Sequence, residues 1–283
     1  MTYVHTGALL ASAVASRSAV FAFNVITLEH AEGIVSGAEL AGRPALLQIS
    51  ENAVRFHGDR LAPLLAACHE LAIASSVPIG VHLDHFTDAP LIRSAISLAR
   101  DVGVTSIMVD ASALPFDENR RQTAVLTGLA HDAGLWVEAE LGEIGGKDGA
   151  HAPGVRTDPA DATAFVLETG VDGLAVAVGS SHAMTSRDAV IDLDLVARLA
   201  AAVPVPLVLH GSSGVSDTLL REAIDAGIRK VNVGTALNLA FTGEVRRFLA
   251  RDETASDPRK YLEGARTAVA ERVAHLCSLA DNA

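Results

Sequence analysis

Short, nearly unbroken apolar runs alternate along the chain with longer stretches in which apolar residues return at helical spacing. The short runs lie at Val20–Val25, Ala45–Ile49, Ile79–Leu83, Ser106–Asp110, Trp136–Leu141, Gly173–Val178, Pro206–Leu209 and Lys230–Val233. A strand wetted on one face alternates apolar with polar residues. Runs apolar at successive positions predict parallel strands buried on both faces. Between them, Leu61–Ala74, Ala89–Asp101, Asn119–Ala133, Pro159–Glu168, Leu193–Ala201 and Ser216–Ala226 predict helices. Three of these helices run into a glycine just before the next strand, at Gly134, Gly170 and Gly227, where a left-handed residue stops a helix. Eight strands alternating with helices predict an α/β fold, a single closed (β/α)8 TIM barrel over residues 1–283. The doubly wound open sheet competes. It usually carries a glycine-rich turn after its first strand, which Phe23-Asn24-Val25 is not. The polar stretch from Arg251 to Tyr261 reads as a loop before a last helix.

Composition narrows the function classes. Of 283 residues 49% are hydrophobic, ample for one full core, and the formal charge of −12 (22 − 34) argues against nucleic-acid binding. No run is long and apolar enough to cross a membrane, and the N-terminus lacks a secretory pattern. Cys68 and Cys277, far apart and in no metal-finger spacing, fit reduced thiols of a cytoplasmic protein.

In a TIM barrel the chemistry gathers where strands end. Here those ends read His82-Leu83-Asp84-His85, Asp110, Glu138 with Glu140, Gly179-Ser180-Ser181-His182, His210-Gly211-Ser212-Ser213-Gly214 and Asn232-Val233-Gly234-Thr235. Packing alone would scatter such residues over both rims. His85, His182 and His210 together suggest three imidazole ligands around an open metal position. His82, on the other side of the strand from Leu83, reads as packing or a support. Asp84 beside His85 is a proton-transfer candidate if burial raises its pKa, with Thr87 or Asp88 left to cap the next helix. Asp110 and Glu140 fit three roles: metal ligand, partner of a histidine, or substrate contact. The paired small-residue turns after strands seven and eight fit a phosphate site at helix starts. Of the three lysines, Lys230 is placed at the far rim, Lys147 in a loop and Lys260 near the C-terminus. A metal route to carbon–carbon cleavage is therefore favoured over a lysine Schiff base.

The segments FAFNV, QISENA, VHLDH, VDAS, VEAELGEIGG, DGLAVAVGSSH, PLVLHGSSG, KVNVGTALNLAF and DPRKYL span nearly the whole chain. In order and spacing they resemble class II fructose-bisphosphate aldolases, especially the branch with tagatose-bisphosphate aldolases. The resemblance implies reversible zinc-dependent cleavage of fructose 1,6-bisphosphate, or of a relative such as tagatose 1,6-bisphosphate or a deoxy-keto-gluconate phosphate. It implies Asp84 as acid/base, His85, His182 and His210 as zinc ligands, and Glu140 and Asp110 as positions that bind metal in some members. Gly211, Ser212 and Ser213 with Asn232, Val233, Gly234 and Thr235 match the loops that hold the dihydroxyacetone phosphate half. Asn24 and Ser50 are further substrate-binding candidates, and Arg259 is one for the distal phosphate, reaching a neighbouring subunit. A monovalent cation, Na+ or K+, near the phosphate and a homodimer or homotetramer complete what the family implies.

This chain departs from the family pattern at Ala183, where a phosphate-binding glycine is usual, and in the loop Gly145-Gly146-Lys147-Asp148-Gly149, where Asp148 stands in for a longer carboxylate. Both departures bear on the substrate rather than on the histidines or Asp84. Two other readings compete. A barrel metallohydrolase lacks its expected H-x-H pair at strand one. A non-catalytic sugar-phosphate-binding subunit would be expected to lose Asp84 or a histidine, and none is lost.

Overall fold

The computed structural model describes residues 3–141, 156–180 and 189–280. Eight parallel strands close into a barrel in chain order: β1 (Val20–Asn24), β2 (Ala45–Ser50), β3 (Ile79–Phe86), β4 (Ser106–Val109), β5 (Trp136–Glu140), β6 (Gly173–Ala175), β7 (Leu207–Leu209) and β8 (Ile228–Val233), with β8 returning to pair with β1. The helices are α1 (Thr6–Ser16), α2 (Leu28–Ala41), α3 (Glu51–Phe56), α4 (Leu61–Ala74), α5 (Ala89–Leu98), α6 (Phe116–Asp132), α7 (Pro159–Thr169), α8 (Leu193–Ala202), α9 (Asp217–Ala226), α10 (Thr235–Arg251) and α11 (Pro258–Cys277). The expected barrel is present, and Gly134, Gly170 and Gly227 all take positive φ. Several boundaries differ from expectation: β3 runs on to Phe86 and β8 opens at Ile228. β6 stops at Ala175 although its sequence stays apolar to Val178, and the polar loop is only 252–257, because Pro258 opens α11 and Asp257 caps it.

One strand face builds the shell. Phe21, Phe23, Leu47, Ile49, Val81, Leu83, Ile107, Val137, Leu209 and Val231 are buried against the surrounding helices in one continuous core. The other face fills the barrel. At its base Val20, Ala22, Leu46 and Trp136 meet Leu9, Leu10 and Ala13 of α1, which plugs that end. Thr6 of α1 is hydrogen-bonded to Thr105 (2.8 Å) and Ser106 (2.7 Å). The Trp136 indole lies where a Cβ on Gly173 would stand, so β6 needs a glycine there. Higher up the fill turns polar: Gln48, His82, Ser106, Glu138 and Lys230 are all fully buried. Lys230 therefore stands inside the barrel and not at its far rim. It is the third residue of β8, and the strand's alternation turns its side chain to the axis.

Outside, α11 packs along α2 at close range. A Cβ on Gly33 would sit 2.8 Å from the Arg266 carbonyl oxygen, and one on Gly37 would overlap the Ala270 carbonyl. Because the obstacle is backbone, it has no rotamer to yield. Gly37→Ala should gain about 1 kcal/mol of helix propensity and lose about 2–3 kcal/mol to overpacking against backbone, for a net destabilisation of about 1–2 kcal/mol. Chemical denaturation checks this, and a stabilised variant would refute the contact.

The barrel interior also sets a pH dependence. Burial, helped by the Lys230 charge, pushes the His82 imidazole down from 6.5 to about 3. The folded protein thus keeps His82 neutral while the unfolded chain takes up a proton below about 6.5. Stability from this group is present above 6.5 and is lost as pH falls toward 3. His82→Gln should flatten that part of the stability–pH curve, and an unchanged slope would count against it.

Candidate active site

Asp84 and His85 are consecutive, so a regular strand would send them to opposite faces. The structure breaks the strand's regularity at that point. His85 has φ +50°, and the β3–β4 register slips between Leu83 and Phe86. The bulge turns both side chains to the same cavity. A left-handed non-glycine residue is costly and persists only where its surroundings hold it. Glu51, at the start of α3, supplies part of that hold. Its Oε2 accepts the backbone N–H groups of Thr87 (2.7 Å) and Asp88 (3.0 Å), and its Oε1 accepts from Arg55 (2.5 Å). Asp88 does stand at the α5 N-cap, but its side chain makes no capping bond, so the Glu51 carboxylate serves the turn instead.

His85, Glu140 and His210 bring one ligand atom each to within 4.8 Å of one another. The two imidazole rings lie 4.7 Å apart and nearly edge to face. His210 Nδ1 faces Glu140 Oε2 at 3.4 Å, while its Nε2 lies 2.9 Å from Glu138 Oε1. Asp110 stands behind His85, with Oδ2 at 2.8 Å from Nδ1, and its Oδ1 accepts from the Ser112 backbone N–H (3.1 Å) and hydroxyl (2.7 Å). Of the three roles open to Asp110, this placement is that of a histidine partner, and Glu140 is the carboxylate that joins the cluster. Two imidazoles and one carboxylate are the donor set of a catalytic zinc-type site. The electrostatics agree. Burial works against the charged form of His85, but Asp84, Asp110 and Glu140 outweigh it and raise its pKa to about 10. Three carboxylates converging on one imidazole make a pocket that favours a cation.

The condition attached to Asp84, a pKa raised by burial, is not met. Burial pushes its carboxyl up, but His85, His210, His82 and Lys230 together pull it below the ordinary range, so it is an anion at neutral pH. Asn24 Nδ2 donates to its Oδ2 (3.0 Å) and Asn232 Nδ2 to its Oδ1 (3.3 Å). Gln48 in turn donates to Asn24 Oδ1 at 2.9 Å.

These groups open into a cavity of about 230 Å³ lined by Asn24, Ile26, Gln48, Ser50, Asp84, His85, Gly211, Ser212, Ser213, Asn232, Gly234, Thr235 and Asn238. Gln48 lay unnoticed in the apolar run of β2, though a polar residue at an inward position was its signal. Its Oε1 is buried without a hydrogen-bond partner among the described residues, an acceptor that a ligand hydroxyl would satisfy. Ser50 lines the cavity and also caps α3 through Ala53 N (3.2 Å). The Ser212 hydroxyl is spent on the protein itself, whereas Ser213 only accepts and keeps its O–H to donate. Ser212 donates to the Asn232 carbonyl (2.5 Å), and Ser213 accepts from Ala236 N (3.1 Å). Besides that O–H, this corner offers a ligand the backbone at the start of α10, whose cap, Gly234, has no side chain to block it. A Cβ at Gly234 would meet Asn24 Oδ1 at 2.9 Å.

Val233 faces the shell core rather than the cavity. Arg259 lies away from the barrel mouth in a groove with Glu29, Glu32 and Glu263, forked on Asp257. Within one chain it does not line the site. Lys260 is exposed on α11. His182, Ala183, Lys147 and Asp148 lie outside the described residues.

Comparison with known proteins agrees with this geometry. The family profile described as fructose-bisphosphate aldolase class-II matches residues 4–283. Among solved structures, the YdjI aldolase from Escherichia coli K12 is 31% identical, with 98% of this chain and 97% of that chain covered and a TM-score of 0.82. A fructose-bisphosphate aldolase from Campylobacter jejuni is 20% identical, covers 99% and 96% of the two chains and has a TM-score of 0.85, a likeness of fold. A whole-chain family match, a barrel shared with solved aldolases and a cluster of metal-type ligands beside a buried carboxylate lead to one assignment: the chain belongs to the class II fructose-bisphosphate aldolase family.

Proposed function

We propose that the protein is a zinc-dependent aldolase that reversibly cleaves a phosphorylated ketose, with fructose 1,6-bisphosphate as the first candidate and tagatose 1,6-bisphosphate as its near alternative. The observation that carries this reading is the single cavity shared by Asp84, His85 and the open N-terminus of α10. His85, His210 and Glu140 would hold the ion, with His182 as the third imidazole that the family pattern supplies. Zinc, when bound, supplies Lewis-acid polarisation of the ketose carbonyl.

The chain's own residues supply the rest. The start of α10, with Gly211, Ser213 and Thr235 beside it, is suited to a phosphate, since the helix dipole favours an anion there and no side chain at the Gly234 cap stands in the way. Fixing that end places the ketose chain along Asn24, Gln48 and Asp84. Asp84, an anion at rest, takes the proton of the hydroxyl next to the bond that breaks. The carbon–carbon bond then opens to an aldehyde and the ketone half, with the bonding pair left on the carbon beside the carbonyl. Asn24 and Asn232 each donate one N–H to Asp84, so its remaining lone pairs face the cavity. Asp148 is the proposed donor of the proton that completes the ketone half. A monovalent cation beside the phosphate, a homo-oligomer that brings Arg259 to a neighbouring site and a cytoplasmic location belong to the same reading.

Two substitutions separate binding of the ion from proton transfer. Asp84→Ala should keep its zinc and lose roughly 10²–10⁴-fold in kcat. Near-normal turnover would remove Asp84 from the mechanism. His210→Ala should come through purification with its zinc content sharply reduced, and full metal occupancy would break the ligand assignment. Both are read by metal analysis beside cleavage of fructose and tagatose 1,6-bisphosphates.

A further inference from the structure

Lys230 is the least expected side chain in the barrel, an ammonium sealed at zero exposure on the axis. Its Nζ lies 2.7 Å from Glu138 Oε2, 2.8 Å from Asn232 Oδ1 and 3.5 Å from His82 Nε2. An ammonium has three donors and no acceptor, so each neighbour must present an acceptor to it. That requirement propagates in two directions.

Along the first, Glu138 gives Oε2 to Lys230 and is left with Oε1, which only accepts. His210 therefore turns Nε2–H to Glu138 (2.9 Å), and Nδ1 is the nitrogen directed to Glu140, which forms the ligand cluster with His85 and His210. Along the second, Asn232 must turn Oδ1 to Lys230, which leaves its Nδ2 facing Asp84 Oδ1 at 3.3 Å. Were the amide reversed, its Oδ1 would face a carboxylate and its NH₂ an ammonium, and both contacts would repel.

We infer that Lys230 is a positioning residue for both halves of the active site: through Glu138 it orients His210 toward the metal, and through Asn232 it aims a hydrogen bond at Asp84. The inference rests on the aldolase reading above, but its first readout, zinc affinity, needs no substrate. Removal of a partner behind a metal ligand costs about 10–100-fold in affinity. A misdirected base costs on the order of a hundredfold in rate.

The test compares Lys230→Met with Glu138→Gln, each titrated with zinc against a competing chelator and assayed for kcat at saturating zinc. Lys230→Met should bind zinc at least about tenfold more weakly and also lose kcat at saturation. Glu138→Gln, which touches the first arm alone, should lose zinc affinity but less kcat than Lys230→Met. A structural role alone would lower thermal stability without this split. If Lys230→Met leaves the Glu138 charge stranded and fails to fold, Lys230→Met/Glu138→Met removes both charges at similar volume, a change that buried pairs often tolerate. The same two losses are expected of it. Zinc affinity and saturated kcat both within about twofold of wild type, in whichever of these variants folds, would overturn the inference. Loss of zinc affinity alone in Lys230→Met would overturn the Asp84 arm. A wild-type protein that takes up no zinc would instead defeat the functional reading on which the inference rests.

Discussion

The ion pair between Lys230 and Glu138 is the constraint around which the upper barrel is organised. Both residues are fully buried, and in a medium of low polarity each charge would be prohibitive without the other. The lysine's charge is part of what holds the Glu138 carboxyl far below its usual range, together with the neighbouring histidines. Once paired, the two leave few choices to their neighbours. His210, Asn232 and His82 take the orientations that the pair's donors and acceptors allow. A barrel filled by Val, Ile and Leu at this level would pack as well and would instruct nothing above it. The apolar layer at the base, around Trp136 and α1, serves that simpler purpose.

Above the pair the demand is different, since consecutive residues must act on one ligand. The bulge at His85 meets it at the cost of a left-handed residue, held in part by the Glu51 carboxylate on the two following backbone N–H groups. The site is thus supported from below by a buried charge and from the side by a clamped turn. The corner proposed for phosphate needs neither, because α10 starts at Gly234 with no side chain closing its end. Such division of labour suits an enzyme that must hold an anion at one end of its substrate and a cation near the middle.

Much of this was legible in the residue pattern. Eight apolar runs separated by helical spacing gave the barrel, because parallel strands covered on both faces leave that trace. Asp84, His85, Glu140 and His210 stood out because polar residues crowd one rim. Harder to see was the division of roles between Asp110 and Glu140, which depends on which carboxylate reaches an imidazole from behind. The proton-transfer role of Asp84 was tied to a pKa raised by burial. Four neighbouring groups reverse that sign: His85 and His82 lie on the same strand, while His210 and Lys230 are distant in sequence. Lys230 was misplaced for a related reason. Its position in the run Lys230–Val233 suggested a strand start, whereas β8 begins two residues earlier at Ile228, where it pairs with β7. Gln48 was hidden by apolar neighbours that belong to the opposite face of β2.

Metal-dependent carbon–carbon cleavage in the cavity beside Asp84 is the proposed activity from which every site role above follows. The most direct measurement is release of dihydroxyacetone phosphate from fructose or tagatose 1,6-bisphosphate by one preparation in three states: zinc-loaded, stripped with EDTA, and stripped then resupplied with zinc. Cleavage that is present, abolished and restored in that order is the predicted result. Cleavage that persists unchanged in the stripped protein would contradict the account, because His85, Glu140 and His210 would then be holding nothing the reaction needs.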